Sequence, residues 1–259
     1  MLYDETKRVL EYVATLRNDA FQSDHAQLRF KRSYVTASEI AEQFYCEKSM
    51  ELAKIYGKEL TKEMEKGTQA HDNALKSSVP VTEEESFESI FSGSYVTMRE
   101  IHLIGKYSDV VIRGKADLIV FDSKNPILIG DYKFKDRPNI YLNELVQTRI
   151  YCYLLSCMGF DLSKTRYAII APHTDLEDSA RVRRLHDQIL KQGIAGSKEL
   201  SFNERMVKLF VKRFEMQEVQ KDLDFALGYW LGQREAKPTK NPNKCKSCKF
   251  KDRCEFSLA

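Results

Sequence analysis

Arg113-Gly-Lys-Ala-Asp117-Leu-Ile-Val-Phe121 and, six positions further on, Ile127-Leu-Ile-Gly-Asp131-Tyr-Lys133-Phe134 decide the fold. Both runs are rich in β-branched and apolar residues, and Asp122-Ser-Lys-Asn-Pro126 separates them as a turn, so they read as a β-hairpin. Each carries an aspartate where a strand normally places an apolar side chain. A charge inside a strand is costly unless it is paired or bound to a cation. Asp131 and Lys133, two residues apart, project from one face of their strand, and hairpin pairing can bring Asp117 onto the same face. Two adjacent carboxylates repel, and a hard divalent cation relieves that repulsion through oxygen ligands. A neighbouring lysine can position or deprotonate a water and neutralise charge building on a phosphate. Alone, Asp-Tyr-Lys reads more readily as a strand salt bridge.

Working outward, Tyr95–Leu103, Asp109–Arg113 and Ala116–Phe121 read as short strands before the turn. Residues 139–158 follow as a helix with an apolar stripe that places Gln147 and Tyr151 one turn apart, and Arg166–Ala171 as a strand ending at Pro172. Upstream, residues 1–30 give an amphipathic helix and a polar stretch. Thr36-Ala-Ser-Glu39 has the form of a capping box, which opens a helix carrying Cys46 and stopping at Gly57. A second helix fits residues 60–77. It holds Gly67 and, one turn on, His71, whose imidazole faces wherever the glycine lets the backbone approach closely. Pro80–Ser92 reads as an acidic loop, and 174–232 as mostly helical. The result is an α/β fold, a sheet core with a helical periphery. We expect one domain over 1–259, with a helical part at 36–80, a sheet core at 95–173 and a helical C-terminal part at 174–259.

Cys46 stands alone near the N-terminus, and Cys245-Lys-Ser-Cys248-Lys-Phe-Lys-Asp-Arg-Cys254 stands near the C-terminus. A CxxC pair with a third cysteine six positions on has metal-ligand spacing. With Cys46 as fourth thiolate, one metal site joins segments about 200 residues apart. Spacing does not choose between zinc and an iron–sulfur cluster. Cys152 and Cys157 fit small buried hydrophobes instead. Of the 259 residues 42% are hydrophobic and 31% charged, a globular composition. No stretch approaches a bilayer span and the N-terminus is too polar for a secretory signal, so a cytoplasmic protein that meets no membrane is expected. The net charge of +3 decides nothing, but Lys237–Arg253 sets seven basic residues against one acid, which reads equally as a patch that attracts polyanions and as a solvated basic tail.

Taken in order, Gly67-xxx-His71, Gly114-Lys-Ala-Asp117, Gly130-Asp131-Tyr-Lys133 and Gln147-xxx-Tyr151 resemble the motifs of RecB-type nucleases of the PD-(D/E)XK superfamily, over residues 36–256. The four cysteines resemble the subset with an iron–sulfur cluster, the exonuclease V and CRISPR-associated adaptation nuclease group. That group commonly has Glu-x-Lys where this chain has Asp131-x-Lys133. The resemblance implies a restriction-endonuclease-like mixed sheet with a cluster-stapled helical lobe. It implies that His71, Asp117, Asp131 and the Tyr132 carbonyl ligate Mg²⁺ or Mn²⁺, and that Lys133 orients the attacking water. Gln147 and Tyr151 would support the site and touch the DNA. Cys46, Cys245, Cys248 and Cys254 would hold a [4Fe-4S] cluster. The expected activity is a DNA exonuclease acting on single strands with a free end, nucleoid-associated, with Phe250 or Tyr151 stacking on the strand. Two alternatives stand beside it: an endonuclease that processes integration intermediates with CRISPR or DNA-repair partners, and a zinc-stapled binding module without catalysis.

Overall fold

The computed structural model describes residues 2–21, 28–57, 62–75, 82–93, 95–174, 199–204 and 207–259. In chain order the elements are α1 (Leu2–Phe21), β1 (Tyr34–Thr36), α2 (Ala37–Tyr56), α3 (Lys62–Leu75), α4 (Glu83–Phe91), β2 (Tyr95–Tyr107), β3 (Val110–Asp122), β4 (Asn125–Tyr132), α5 (Leu142–Cys157), β5 (Arg166–Pro172), β6 (Glu199–Glu204), β7 (Val207–Arg213), α6 (Met216–Trp230) and α7 (Pro242–Lys246).

The described strands form one mixed sheet. β3 is paired along its length by antiparallel β2 on one side. On the other side β1 runs parallel to its first half and β4 antiparallel to its second. From β4 the order continues through parallel β5 and antiparallel β7 to β6. β3 and β4 are buried on both faces, which explains their near-continuous apolar sequence. Ile119, Phe121 and Ile129 enter a core shared with α1, α2, α4, α5 and α6. Leu118, Val120, Leu128 and Tyr132 enter a second core on the opposite face, with Val207, Leu209 and Val211 of β7. Asp131 is in step with Ile129, whereas the alternation of β3 breaks around Asp117, since Ala116 and Ile119 both enter the first core.

Several elements differ from the sequence expectation. Asp109–Arg113 and Ala116–Phe121 belong to a single strand, because β2 pairs alongside Gly114 and carries it through. Ser108 and Asp109, both at positive φ, make the tight turn between β2 and β3 rather than a strand start. The segment read as an acidic loop contains α4. Thr82 and Glu85 form a reciprocal capping box, and the helix buries Phe87, Ile90 and Phe91. Phe91 stacks on Phe160 with ring centroids 5.7 Å apart. Of the segment read as helical, 175–198 lies outside the described residues, while 199–204 and 207–213 are strands. β7 alternates buried and half-buried residues, the period of a sheet face. Among the described residues no helix is long and apolar enough to cross a membrane.

Candidate active site

The ladder between β3 and β4 shifts register between Val120 and Phe121, runs on to Leu118 opposite Gly130 and stops there. One residue further, the Asp117 side chain takes over. Its Oδ2 accepts the Tyr132 N–H at 2.7 Å. The next amide, Lys133 N–H, turns the other way and donates to the Ile170 carbonyl of β5 at 2.9 Å. The hairpin thus opens where its two aspartates stand, and the Tyr132 and Lys133 amides at the opening remain satisfied.

α3 closes over this opening. A Cβ on Gly67 would meet the Phe134 carbonyl oxygen at 3.2 Å, so the glycine allows the helix to lie against the end of β4. One turn later His71 Nε2 stands 3.3 Å from Asp117 Oδ1. The hydrogen bond that His71 donates to Asp117 raises the imidazole pKa, against burial, which lowers it. Burial acts to raise the Asp117 pKa, yet its His71 hydrogen bond and the Lys133 charge outweigh burial and hold it below the usual carboxylate range.

Asp131 is 1% exposed. Its Oδ2 meets the Lys133 ammonium at 2.8 Å, and its Oδ1 is buried without a hydrogen-bond partner among the described residues. Burial pushes this carboxyl up to about 7, with Asp117 adding to the rise and Lys133 opposing it. Burial acts to lower the Lys133 pKa, but the charges of Asp131 and Asp117 prevail and raise it. Lys133 is therefore a fixed cation at neutral pH, a donor rather than a proton acceptor. A buried carboxylate oxygen with no donor facing it, beside a second carboxylate and an imidazole, suits a divalent cation that seeks oxygen and nitrogen ligands. Among the described residues, however, no three His, Cys, Asp or Glu side chains converge on one point. Asp131 is turned to Lys133 while Asp117 is turned to His71 and the Tyr132 amide.

Tyr151 is 3% exposed, behind the acids rather than beside a strand path. It fills the space left by Gly114, where a Cβ would lie 2.8 Å from Tyr151 Cε1. Gln147 Nε2 donates to its hydroxyl at 2.5 Å. Burial, then the charges of Asp131 and Asp117, raise the phenol pKa well above its ordinary value. Tyr151 and the buried Phe250 are therefore not placed to stack on DNA as expected. The side chain of Tyr132 faces the opposite core and stacks on Phe134, leaving its backbone on the site side.

The sequence reading missed the pair beside the site. Lys135 Nζ lies 2.5 Å from Glu144 Oε1 and 4.4 Å from the Tyr141 ring centroid. Glu144 Oε2 also accepts the Tyr141 N–H at the start of α5. The signal was available: Asp131, Lys133 and Lys135 share one strand face, and Glu144 sits three residues after the helix cap.

The cysteines come together from both ends of the chain. Cys46, Cys245, Cys248 and Cys254 line one cavity, and all are free thiols. α2 breaks its helical conformation at Cys46 itself. The Thr239 N–H reaches Cys46 Sγ at 3.4 Å and the Phe250 N–H reaches Cys248 Sγ at 3.4 Å. Four sulfur donors are the ligand type of a four-thiolate metal group, although among the described residues no three of them are placed together so as to hold a metal ion. A polar lock holds the C-terminal segment in place. Arg234 binds Glu47 through two nitrogens at 2.6 Å each, and the Lys237 N–H donates to the same carboxylate at 2.8 Å. Arg29 ties to the Tyr229 and Arg234 carbonyls at 2.9 and 3.0 Å. Cys152 is fully buried and Cys157 half-buried, away from this group, and burial raises both thiol pKa values.

Residues 11–255 match the PD-(D/E)XK nuclease superfamily, and the chain belongs to it. Members of that superfamily are metal-dependent nucleases, typically with Mg²⁺ or a similar divalent ion. The crystal structure of SSO0001 is similar in fold with a TM-score of 0.49 and 12% sequence identity, over 98% of this chain and 95% of that one. No curated protein sequence matches this one.

Proposed function

We propose that this nuclease is a RecB-type DNA exonuclease that degrades single strands from a free end. The observation that carries the reading is the meeting of Asp117, Asp131, Lys133 and His71 at the point where the β3–β4 ladder opens. His71, Asp117, Asp131 and the Tyr132 carbonyl would hold Mg²⁺ or Mn²⁺. When bound, the cation supplies Lewis acidity at the scissile phosphate and lowers the pKa of a water. The protein's own groups do the rest. Lys133, held charged by the two aspartates, donates to the water and offsets negative charge gathering on the phosphate oxygens. Asp117 stays ionised because His71 and Lys133 face it. Tyr151 and Gln147 brace β3 from behind, so the carboxylates keep their positions as a strand enters.

Cys46, Cys245, Cys248 and Cys254 would hold a [4Fe-4S] cluster that fastens α2 to the C-terminal segment. Binding of a nucleic-acid backbone is supported by the cationic run around those cysteines. The test is digestion of end-labelled linear and of circular single-stranded DNA with Mg²⁺ or Mn²⁺, using wild type, Asp131→Ala and Lys133→Ala. The reading expects loss of linear DNA only, and at least a hundredfold loss of rate in both variants. Degradation that survives both substitutions overturns the site. Cutting of circles replaces the exonuclease with an endonuclease. A brown preparation containing iron supports the cluster; a colourless one containing zinc replaces it with a zinc staple.

A further inference from the structure

Glu100 stands in the middle of β2 with a φ of 55°, in the left-handed region that suits glycine and turns. The other non-glycine residues at positive φ among the described residues, Phe30, Lys31, Ser108, Asp109 and Ser123, all lie outside the strands. The pairing of β2 with β3 keeps one register from end to end, with Arg99 opposite Leu118 and Ile101 opposite Ala116. Between them, Glu100 and Asp117 face each other without joining the ladder. Both strands turn over at this point. Met98 and Ile119 oppose each other in the first core, and Leu118 enters the second. Ala116 is then back in the first core, and Ile101 packs against it. Strict alternation from Met98 and Ile119 would send Ile101 and Ala116 to the opposite face. Each strand therefore takes up one extra residue at the same place, so the register survives while the faces exchange. Irregularities of this kind bend a strand and re-aim a side chain.

The side chain re-aimed here is that of Asp117. It lies between Ala116, which faces one core, and Leu118, which faces the other. Its carboxylate runs along the sheet instead, towards β4, where Oδ2 accepts the Tyr132 N–H at 2.7 Å. The Glu100 carboxylate does not account for the strained backbone. It meets Lys115 Nζ at 2.5 Å, but the two side chains are 41% and 47% exposed, and an ion pair so exposed contributes little. Strain persists where the surrounding structure imposes it, and it gathers at functional sites. We propose that Glu100 is a positioning residue for Asp117: its left-handed backbone turns β2 and β3 over together and so directs the Asp117 carboxylate into the opening between β3 and β4. The consequence for a bound cation rests on the nuclease reading above.

The test separates backbone from charge in the full chain. Glu100→Val introduces a β-branched residue that resists positive φ. Glu100→Gly and Glu100→Asn accept it, and both remove the charge. Hydrogen exchange of the Tyr132 amide, followed by NMR without divalent cation, reports where the Asp117 carboxylate stands. The Lys133 amide, bonded to the Ile170 carbonyl, is the internal control for general loosening. Mn²⁺ affinity, followed by electron paramagnetic resonance of the free ion, is compared with that of Asp131→Ala. Glu100→Val is expected to speed Tyr132 exchange roughly tenfold or more relative to Lys133. It should also raise the Mn²⁺ Kd about 10–100-fold. The glycine and asparagine variants should stay within about threefold of wild type in both measurements, as the tolerance of these residues for positive φ requires. A smaller rise in Tyr132 exchange for Glu100→Val overturns the proposal, and so does a larger change in either tolerant variant. Should Glu100→Val fail to fold by circular dichroism, Glu100→Thr takes its place under the same criteria. Mn²⁺ binding that Asp131→Ala retains in full refutes the cation reading, and Tyr132 exchange then decides the role of Glu100 alone.

Discussion

Gly114→Ala isolates the contact that braces the carboxylates. The added Cβ would lie 2.8 Å from Tyr151 Cε1, 2.9 Å from its Cδ1 and 3.2 Å from Leu154 Cδ1. Ordinary contact begins near 3.4 Å, so the ring must retreat by about 0.6 Å. It has little room, because Tyr151 is fully enclosed and α5 is held on the sheet by Val146, Ile150 and Leu154. Overpacking of this kind costs about 1–3 kcal/mol. Replacing glycine returns about 0.4–1 kcal/mol through the unfolded chain. The net loss is about 1–2 kcal/mol, or roughly 2–8 °C in Tm for a chain of this size. Thermal unfolding followed by circular dichroism measures it. Combining the substitution with Tyr151→Leu removes the ring that clashes, so the alanine should then cost far less than it does alone. An unchanged or higher Tm for Gly114→Ala, or an equal penalty in the Tyr151→Leu background, would refute the steric reasoning.

Glu39→Gln should lower Tm by several degrees at pH 7, because Glu39 caps α2 through the Thr36 N–H at 2.8 Å and pairs with Arg32 and Lys54. Burial acts to raise the Glu39 pKa, yet Lys54 and Thr36 bring it below the ordinary glutamate value. Its stabilisation is therefore present above the unfolded-state pKa and lost as pH falls through the folded one, so wild type and Glu39→Gln should converge in acid; a constant gap in Tm from pH 7 to pH 3 would refute the pairing. Cys248→Ser should lower both bound metal per chain, read by elemental analysis, and Tm; unchanged metal content would remove Cys248 from the four-thiol group. Cys152 should resist a thiol reagent until the protein unfolds, since burial raises its pKa; labelling of Cys152 in the native state, located by mass spectrometry, would contradict its enclosure.

What could be read from the chain follows from where the information is local. Thr36 and Glu39 specify the start of α2 with neighbours three residues apart, and Gly57 ends it, so the helix was legible to the residue. Asp117, Asp131, Gly67 and His71 were legible because a charge in an apolar strand and a glycine one turn before a histidine are local anomalies. The Lys135–Glu144 pair was not, since it looks like any surface ion pair until α5 packs over β4. α4 was hidden by its glutamates: the acidic face obscured Phe87, Ile90 and Phe91, whose spacing only gains meaning against Phe160. β6 and β7 were misread because strand pairing with β5 is a long-range decision that outweighs the helical preference of a charged segment. Tyr151 was placed on the correct helix face but at the wrong depth, which only the absence of a Cβ at Gly114 sets.

The grip of Arg234 on Glu47 separates two ways of coming apart. It fastens the chain just ahead of Lys237 without help from any thiol, so stripping whatever the sulfurs hold should free a short flap of residues 238–259 while α6 stays docked. Breaking the arginine instead undoes the hinge on which that flap hangs. Demetallation and Arg234→Ala should therefore leave different protease footprints, the first confined to the tail and the second reaching back into α6.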